Sequence, residues 1–426
     1  VAAATDPLNL IRIMPAQGTQ QPALSNPLPL ATVFGEGESG LTQDTSRESG
    51  KIAAATFRDL IAPRLGAPRA EVVVGPRNGV DGAIIDLGAG QVMAITTDPF
   101  FVMPELGWER AGWFAVHIVA SDAATSGLRP AYLAVDLNLP HSMTDGDLAG
   151  LWQAVHQTCR DLGMAIVTGH TARYDGCTFP MLGGATVVGL GAMDRYVTPA
   201  MAGPGDLIIV TKGAAIETTG MFGVIFSERL TAELGRSTAD AAAALFWQMS
   251  VVKDALTAVQ VGVRGDGITA MHDATERGVW GGLVEIAEAS GVGMIVEQNA
   301  ILLRPEARAV CEHFAIDPFI TSSEGTLLLT CRPHRAGEVI ERLAQVEIAA
   351  TCAGEILPPE HGIHVVQDGK EHPLHSPHED PFWPALQRAL EGPISARPPV
   401  PPGARGSSLE KQLPVVACPP GQGERS

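Results

Sequence analysis

Aromatic residues are scarce. They make up 5% of the 426 residues, with only three tyrosines, so Ala, Gly and Val fill the interior instead, which suits thin helices packed on β-sheets. Basic residues are few as well: 29 Lys and Arg stand against 47 Asp and Glu, a formal net charge of −18. No Lys/Arg cluster interrupts that balance, which excludes a broad nucleic-acid surface, because phosphate backbones are gripped by grouped cations. The six cysteines (Cys159, Cys177, Cys311, Cys331, Cys352 and Cys418) are isolated. Without a C-x-x-C pair or secreted-scaffold density they read as reduced thiols, mostly small core residues. No apolar run reaches the ~18 residues of a membrane helix. The N-terminus lacks the basic start and apolar core of a signal peptide. A cytoplasmic protein with no membrane segment is expected.

What is present is a chain 45% apolar and only 18% charged, long enough for two domains with full cores. Residues 1–45 are rich in Ala, Pro, Gln and Thr without a sustained period and read as an extended arm. Residues 395–426 read as a flexible Pro/Gly-rich tail. Between them, period and turn residues predict a helix over 50–65, strands over 72–74, 83–87 and 92–96, and a small-residue helix over 113–127. A strand over 131–138, a helix over 144–162, a buried strand over 165–168 and a strand over 185–190 follow. Gly203-Pro204-Gly205-Asp206 is a turn signal, placing a boundary near 200 between domains 46–200 and 201–394. Beyond it come a strand over 207–211, helices over 237–261 and 279–290, and strands over 293–297, 325–331 and 363–366. The fold class is α/β (α+β).

Several short segments carry polar groups in places that suit chemistry. Asp81, in Val80-Asp81-Gly82-Ala83, precedes an apolar strand; it is a turn aspartate or a magnesium ligand. Thr96-Thr97-Asp98-Pro99 closes a predicted strand, so Asp98 either terminates it or meets a ligand there. Asp122, after Ser121, lies inside an apolar helix, where a charge is costly unless paired or metal-bound. Thr168-Gly169-His170-Thr171 ends the predicted buried strand; His170 is a structural histidine or an acid-base group. Lys212 and Glu217 form a surface ion pair, or Lys212 faces a phosphate. Asp273 with Glu276 resembles a capping box, a role compatible with an anion site at a helix N-terminus. The segment from Ile316 to Leu328 reads mainly as scaffold. Separated carboxylates that converge in space can hold magnesium between themselves and phosphate oxygens, so an acidic chain can still bind a nucleotide.

Taken in order, Val80-Asp81-Gly82-Ala83, Thr96-Thr97-Asp98, Ser121-Asp122 with Ser126-Gly127, Thr168-Gly169-His170-Thr171, Asp273-Ala274-Thr275-Glu276-Arg277-Gly278 and Ser323-Glu324-Gly325-Thr326 resemble one superfamily. It comprises aminoimidazole ribonucleotide (AIR) synthetase, selenophosphate synthetase, thiamine-monophosphate kinase and hydrogenase-maturation protein E. The last two segments and Thr211-Lys212-Gly213 point to the hydrogenase-maturation branch. The resemblance spans roughly 46–390. It implies a two-domain AIR synthetase-like fold, a homodimer formed through the N-terminal sheet, and ATP with Mg2+ in a cleft between domains.

By position, Asp81, Asp98 and Asp122 are the implied metal ligands. Thr97, Ser121, Gly169, Thr171 and Asp273 join them at the nucleotide, and Lys212 and His170 are the candidate catalytic groups. The implied reaction phosphorylates an oxygen of a small carbonyl, amide or phosphate-bearing substrate. Simple phosphotransfer, as in thiamine-monophosphate kinase, or a nucleotide-binding accessory role remain open, as does a maturation partner protein. Three positions depart from the family pattern: Val80 and His170 stand where acids are usual, and the last residue here is Ser426 rather than cysteine. Dehydration of a group on the chain's own C-terminus is therefore not expected.

Overall fold

The computed structural model describes residues 51–391, residue 53 excepted. The expected arm over 1–45, the tail over 395–426 and Cys418 lie outside that range. A short helix, α1 (Ala54–Thr56), continues as a wider helical turn over Phe57–Ile61. The expected helix over 50–65 stops there because Pro63 lacks the N–H that a further turn needs.

The first sheet has six strands: β1 (Val72–Val74), β2 (Gly82–Gly88), β3 (Gln91–Phe101), β4 (Pro130–Leu139), β5 (Ala165–Arg173) and β6 (Met181–Ala192), in the order β1-β2-β3-β6-β4-β5. Two helices belong to this half, α2 (Trp108–Thr125) and α3 (Asp145–Leu162). α3 crosses between β4 and β5, which makes that pair parallel, and the other neighbours are antiparallel. α3 starts at Thr144, whose side chain accepts from Asp147 N–H while Asp147 accepts from Thr144 N–H, a full capping box.

The second sheet has seven strands: β7 (Leu207–Thr211), β8 (Ile268–Asp273), β9 (Gly293–Glu297), β10 (Leu327–Cys331), β11 (Ala350–Leu357), β12 (Ile363–Gln367) and β13 (Lys370–Pro373), in the order β13-β12-β9-β11-β7-β10-β8. β7, β8 and β10 are buried at every position. Helices α4 (Ile216–Ile225), α5 (Ser227–Leu234), α6 (Arg236–Ala244), α7 (Val252–Ala258), α8 (Gly278–Ser290), α9 (Pro305–Phe314), α10 (Pro333–Gln345) and α11 (Phe382–Glu391) complete it. The fold is α/β, and each sheet is drawn from one half of the chain.

α2 joins the halves. It packs on β3, β6 and α3 of the first half and on β8 and α7 of the second. This explains why it is apolar almost all round, with 13 of its 18 residues buried. A Cβ at Gly112 would lie 2.7 Å from Ala154 Cβ, so the missing side chain is what lets α3 approach.

Several expectations are corrected. β3 does not end before Thr97 and Asp98 but runs to Phe101, and the ladder with β6 slips between Pro99 and Phe101, where proline has no donor to give. β5 is not buried. It is the sheet's outer strand, mostly exposed, and carries Thr168 to Thr171 along its length rather than at its end. The single helix expected over 237–261 is broken into α6, a 3-10 turn over Leu245–Gln248, and α7, because residues 249–251 leave the helical path to meet α2. Asp273 is not a helix cap: it is the last residue of β8, and α8 is entered through Arg277 in the left-handed conformation, φ 65°.

Candidate active site

Acidic side chains from both halves converge beside α2. Asp81 comes from the turn before β2, Asp98 from β3, Asp122 from α2, Asp273 from the end of β8, Glu276 from the turn before α8, and Glu324 from the loop before β10. Their mutual repulsion shows in their proton affinities. Burial, then Glu276, Asp273 and Asp81, push the Asp98 carboxyl up to about 7. Burial and the charges of Asp273, Asp98, Asp81 and Glu324 hold Asp122 well above the usual carboxylate range. Glu324 is raised in the same way, by burial and then by Asp273. So many carboxyl groups in one dry place persist only with bound protons or with cations between them.

Two cations of the chain itself sit at one edge of this cluster. His272, 1% exposed in β8, lies between three carboxylates: Nε2 is 2.8 Å from Glu285 Oε2 and 3.6 Å from Asp81 Oδ2, and Nδ1 is 3.3 Å from Asp273 Oδ1. Burial opposes the charge on this ring, but Asp81, Asp273 and Glu285 outweigh it and hold the imidazolium up to about 10. Reciprocally, burial works to raise Glu285, and His272 with Lys51 brings it down to about 2. Lys51 Nζ stands 3.5 Å from both Asp81 and Glu285.

The donor set suits a divalent cation. One ligand atom each from Asp81, His272 and Asp273 lie within 4.8 Å of one another; the protonated His272 has no lone pair to offer, so the donors are the carboxylates. Asp273 Oδ2 and both carboxylate oxygens of Glu324 are buried without a well-formed hydrogen bond. Buried oxygens left in that state signal a partner that the protein alone does not supply. Hard oxygen donors from separated carboxylates are what magnesium prefers.

The remaining predicted residues divide. Ser121 is fully buried and its Oγ accepts from Val251 N–H at 3.1 Å. Thr97 donates to Ala185 O at 3.0 Å across the β3–β6 ladder. His170 is exposed on β5 and its Nε2 lies 3.0 Å from Tyr174 Oη. Gly169 and Thr171 flank it on that strand, also exposed; a Cβ at 169 would meet Val135 O at 2.3 Å.

Lys212 is held in a buried ion pair. Its Nζ donates to Asp254 Oδ2 at 2.9 Å and to Ser250 O at 2.7 Å. The surface pair with Glu217 does not form. Glu217 Oε2 instead accepts from Glu324 N–H at 3.0 Å. Sequence reasoning took the Ser323-Glu324 segment as scaffold and missed Glu324, which sits 1% exposed in the cluster. It also passed over His272, Glu285 and Lys51. The available signal was a histidine beside an aspartate at the end of a short, largely apolar stretch, Ile268–Asp273.

Residues 79–191 match the N-terminal domain, and residues 203–367 the C-terminal domain, of AIR synthase related proteins. The chain is also similar to the carbamoyl dehydratase HypE of Cupriavidus necator, 31% identical over 301 residues, covering 68% of this chain and 80% of that protein. The chain belongs to the AIR synthase related protein family. Among solved structures, hydrogenase maturation protein HypE in complex with ATP superimposes with a TM-score of 0.57 at 24% identity, covering 79% of this chain and 98% of that one. A HypE–HypF complex gives 0.59 at 20% identity, covering 76% and 100%. At these identities the two structures speak for the fold.

Proposed function

We propose that this chain is an ATP- and Mg2+-dependent enzyme of the HypE type, which phosphorylates an oxygen of a small carbonyl or amide substrate. The observation that carries the reading is the convergence of Asp81, Asp98, Asp122, Asp273 and Glu324, where burial and mutual repulsion hold Asp122 and Glu324 well above the usual carboxylate range. These residues would hold magnesium, which supplies charge neutralisation between the carboxylates and the phosphate oxygens of ATP. The chain's part is positional. His272 and Glu285 fix the carboxylates of Asp81 and Asp273, and burial of Asp122 and Glu324 keeps bulk water from the transferring group. Phosphoryl transfer depends chiefly on such positioning and on charge stabilisation. The similarity to carbamoyl dehydratase HypE favours a carbamoyl-like acceptor.

The finer features belong to the same reading. The functional division is into domains 46–200 and 201–394. A homodimer forms through the first sheet: helices cover one face, while the other leaves Tyr132 and Leu190 40% and 43% exposed, with Val188 opposite both Tyr132 and Ile95. A cytoplasmic setting agrees with the free thiols of Cys159, Cys177 and Cys311; among the described residues no helix is long and apolar enough to cross a membrane. A maturation partner is proposed by analogy with the HypE–HypF complex.

The test is calorimetric titration of ATP, with and without Mg2+, into wild type, Asp98→Ala and Asp122→Ala, followed by analysis of products. Metal-dependent binding that both variants lose, with ADP released when ethyl carbamate is present, is the expected outcome. Failure of the wild type to bind ATP overturns the reading. A stable phosphorylated product rather than a dehydrated one would move it to the kinase alternative.

A further inference from the structure

Asp380 stands just before α11 and is 6% exposed. Its carboxylate accepts four hydrogen bonds. Oδ2 takes Arg277 N–H at 2.9 Å and Ser322 Oγ–H at 2.7 Å, while Oδ1 takes Phe382 N–H at 2.9 Å and Ser322 N–H at 3.3 Å. Phe382 opens α11 itself. Arg277 and Ser322 lie on the two stretches that carry Glu276 and Glu324 into the cluster. One buried carboxylate therefore ties the turn before α8 to the loop before β10.

The turn needs such a tie. Arg277 has φ 65°, a left-handed conformation that disfavours any residue but glycine. The bond from its N–H to Asp380 holds it there, and with it the direction in which Glu276 leaves the chain. Gly281 makes room for this turn, since a Cβ there would lie 2.6 Å from Arg277 Cβ. The helix behind Asp380 is in turn anchored on both halves. Phe382 meets Phe222 of α4, ring centroids 5.7 Å apart. Trp383 meets Phe101 at 5.8 Å, and Phe101 ends β3, the strand of Asp98.

We propose that Asp380 is a positioning residue of the carboxylate cluster. By fixing the Glu276 turn and the Glu324 loop to one another, it sets how tightly the site holds Mg2+ with ATP, and the docking of α11 puts it in place. It acts through the two loops and not by contact with the ligand. The identity of that ligand rests on the ATP-dependent reading; the tie between the loops does not.

Asp380→Asn is the discriminating variant. An amide oxygen in place of Oδ1 keeps the N–H groups of Phe382 and Ser322, so α11 stays capped, but the NH2 then faces Arg277 N–H, donor against donor. The opposite orientation would set the NH2 against two backbone N–H groups. Leu343→Ala, at a fully buried position of α10, is the control that loosens the core elsewhere. Two measurements on the full chain are made: backbone hydrogen exchange without ligand over residues 274–279 and 321–326, and calorimetric titration of ATP with Mg2+. Asp380→Asn should exchange faster in both stretches and bind ATP with Mg2+ about tenfold more weakly. Leu343→Ala should melt lower yet bind as wild type does. Unchanged exchange in the two stretches, or wild-type affinity in Asp380→Asn, overturns the proposal. So does an equal loss of affinity in Leu343→Ala, since binding would then only follow overall stability. A wild type that binds no ATP overturns the reading of the site, and the inference with it, before any variant is compared.

Discussion

At the scale of single residues, Glu217 and Glu324 illustrate how the site stores unfavourable charge. Burial pushes the Glu217 carboxyl up to about 8, against the help of its backbone bond from Glu324, and Asp380, Glu276 and Asp273 add to the rise. The unfolded chain loses this proton near 4.5, whereas the folded chain keeps it to about 8. The native state therefore binds the extra proton across that window, and stability falls as pH rises through it. Glu217→Gln keeps an acceptor for Glu324 N–H but cannot ionise. It should match wild type at pH 5 and be more stable at pH 8, by roughly 1–2 kcal/mol or a few degrees in Tm. Calorimetric melts of both proteins without metal check this; equal melting at pH 8 would show that Glu217 carries no such strain.

At the scale of elements, the loops that bring both halves together are built on a few close backbone approaches. Gly325 has φ 102°, and a Cβ there would lie 2.3 Å from Gln248 O, so the loop bearing Glu324 sits directly on the stretch leading to Ser250. Gly325→Ala should cost about 1–3 kcal/mol and displace Glu324 and Ser250 together. Its expected signature is a lower Tm with weakened metal-dependent ATP binding, read by melts and calorimetry. A variant that melts lower yet binds ATP normally would uncouple the two loops.

This coupling also marks the limit of what the sequence made legible. Regular stretches were readable because period and capping are local: Thr144 to Leu162, with its capping box, came out within a residue. Asp81, Asp98 and Asp122 were legible through their family order. By contrast, the break after Gln248 depends on Ser121 and Lys212, which lie 130 and 38 residues away from the bonds they make. No local pattern encodes that partner choice. The partners of His272 likewise come from other elements: Glu285 is on α8 and Asp81 on the turn before β2. For Lys212 the sequence offers Glu217 or a phosphate as partner, because Asp254, the partner it has, lies in a segment that reads as one continuous helix.

At the scale of the whole molecule, the first sheet poses a question that packing within one chain does not answer. α2 packs on one side of β3, β4 and β6, and the alternation of each strand then turns Met93, Ile95, Tyr132, Val188 and Leu190 to the other. Open apolar faces of this kind mark interaction surfaces. A second copy is the occupant favoured here, because the patch lies on paired central strands and suits a face-to-face contact related by a twofold axis. Tyr132→Glu with Val188→Glu would bury charges without partners at such a contact. Each is costly enough to separate two chains at micromolar concentration. Light scattering on the full chain should give the mass of two chains for wild type and of one for the double variant, with an unchanged far-ultraviolet spectrum. A wild type that is already monomeric at every concentration removes the dimer from the reading. The carboxylate cluster, drawn from both halves of a single chain, would stand without it.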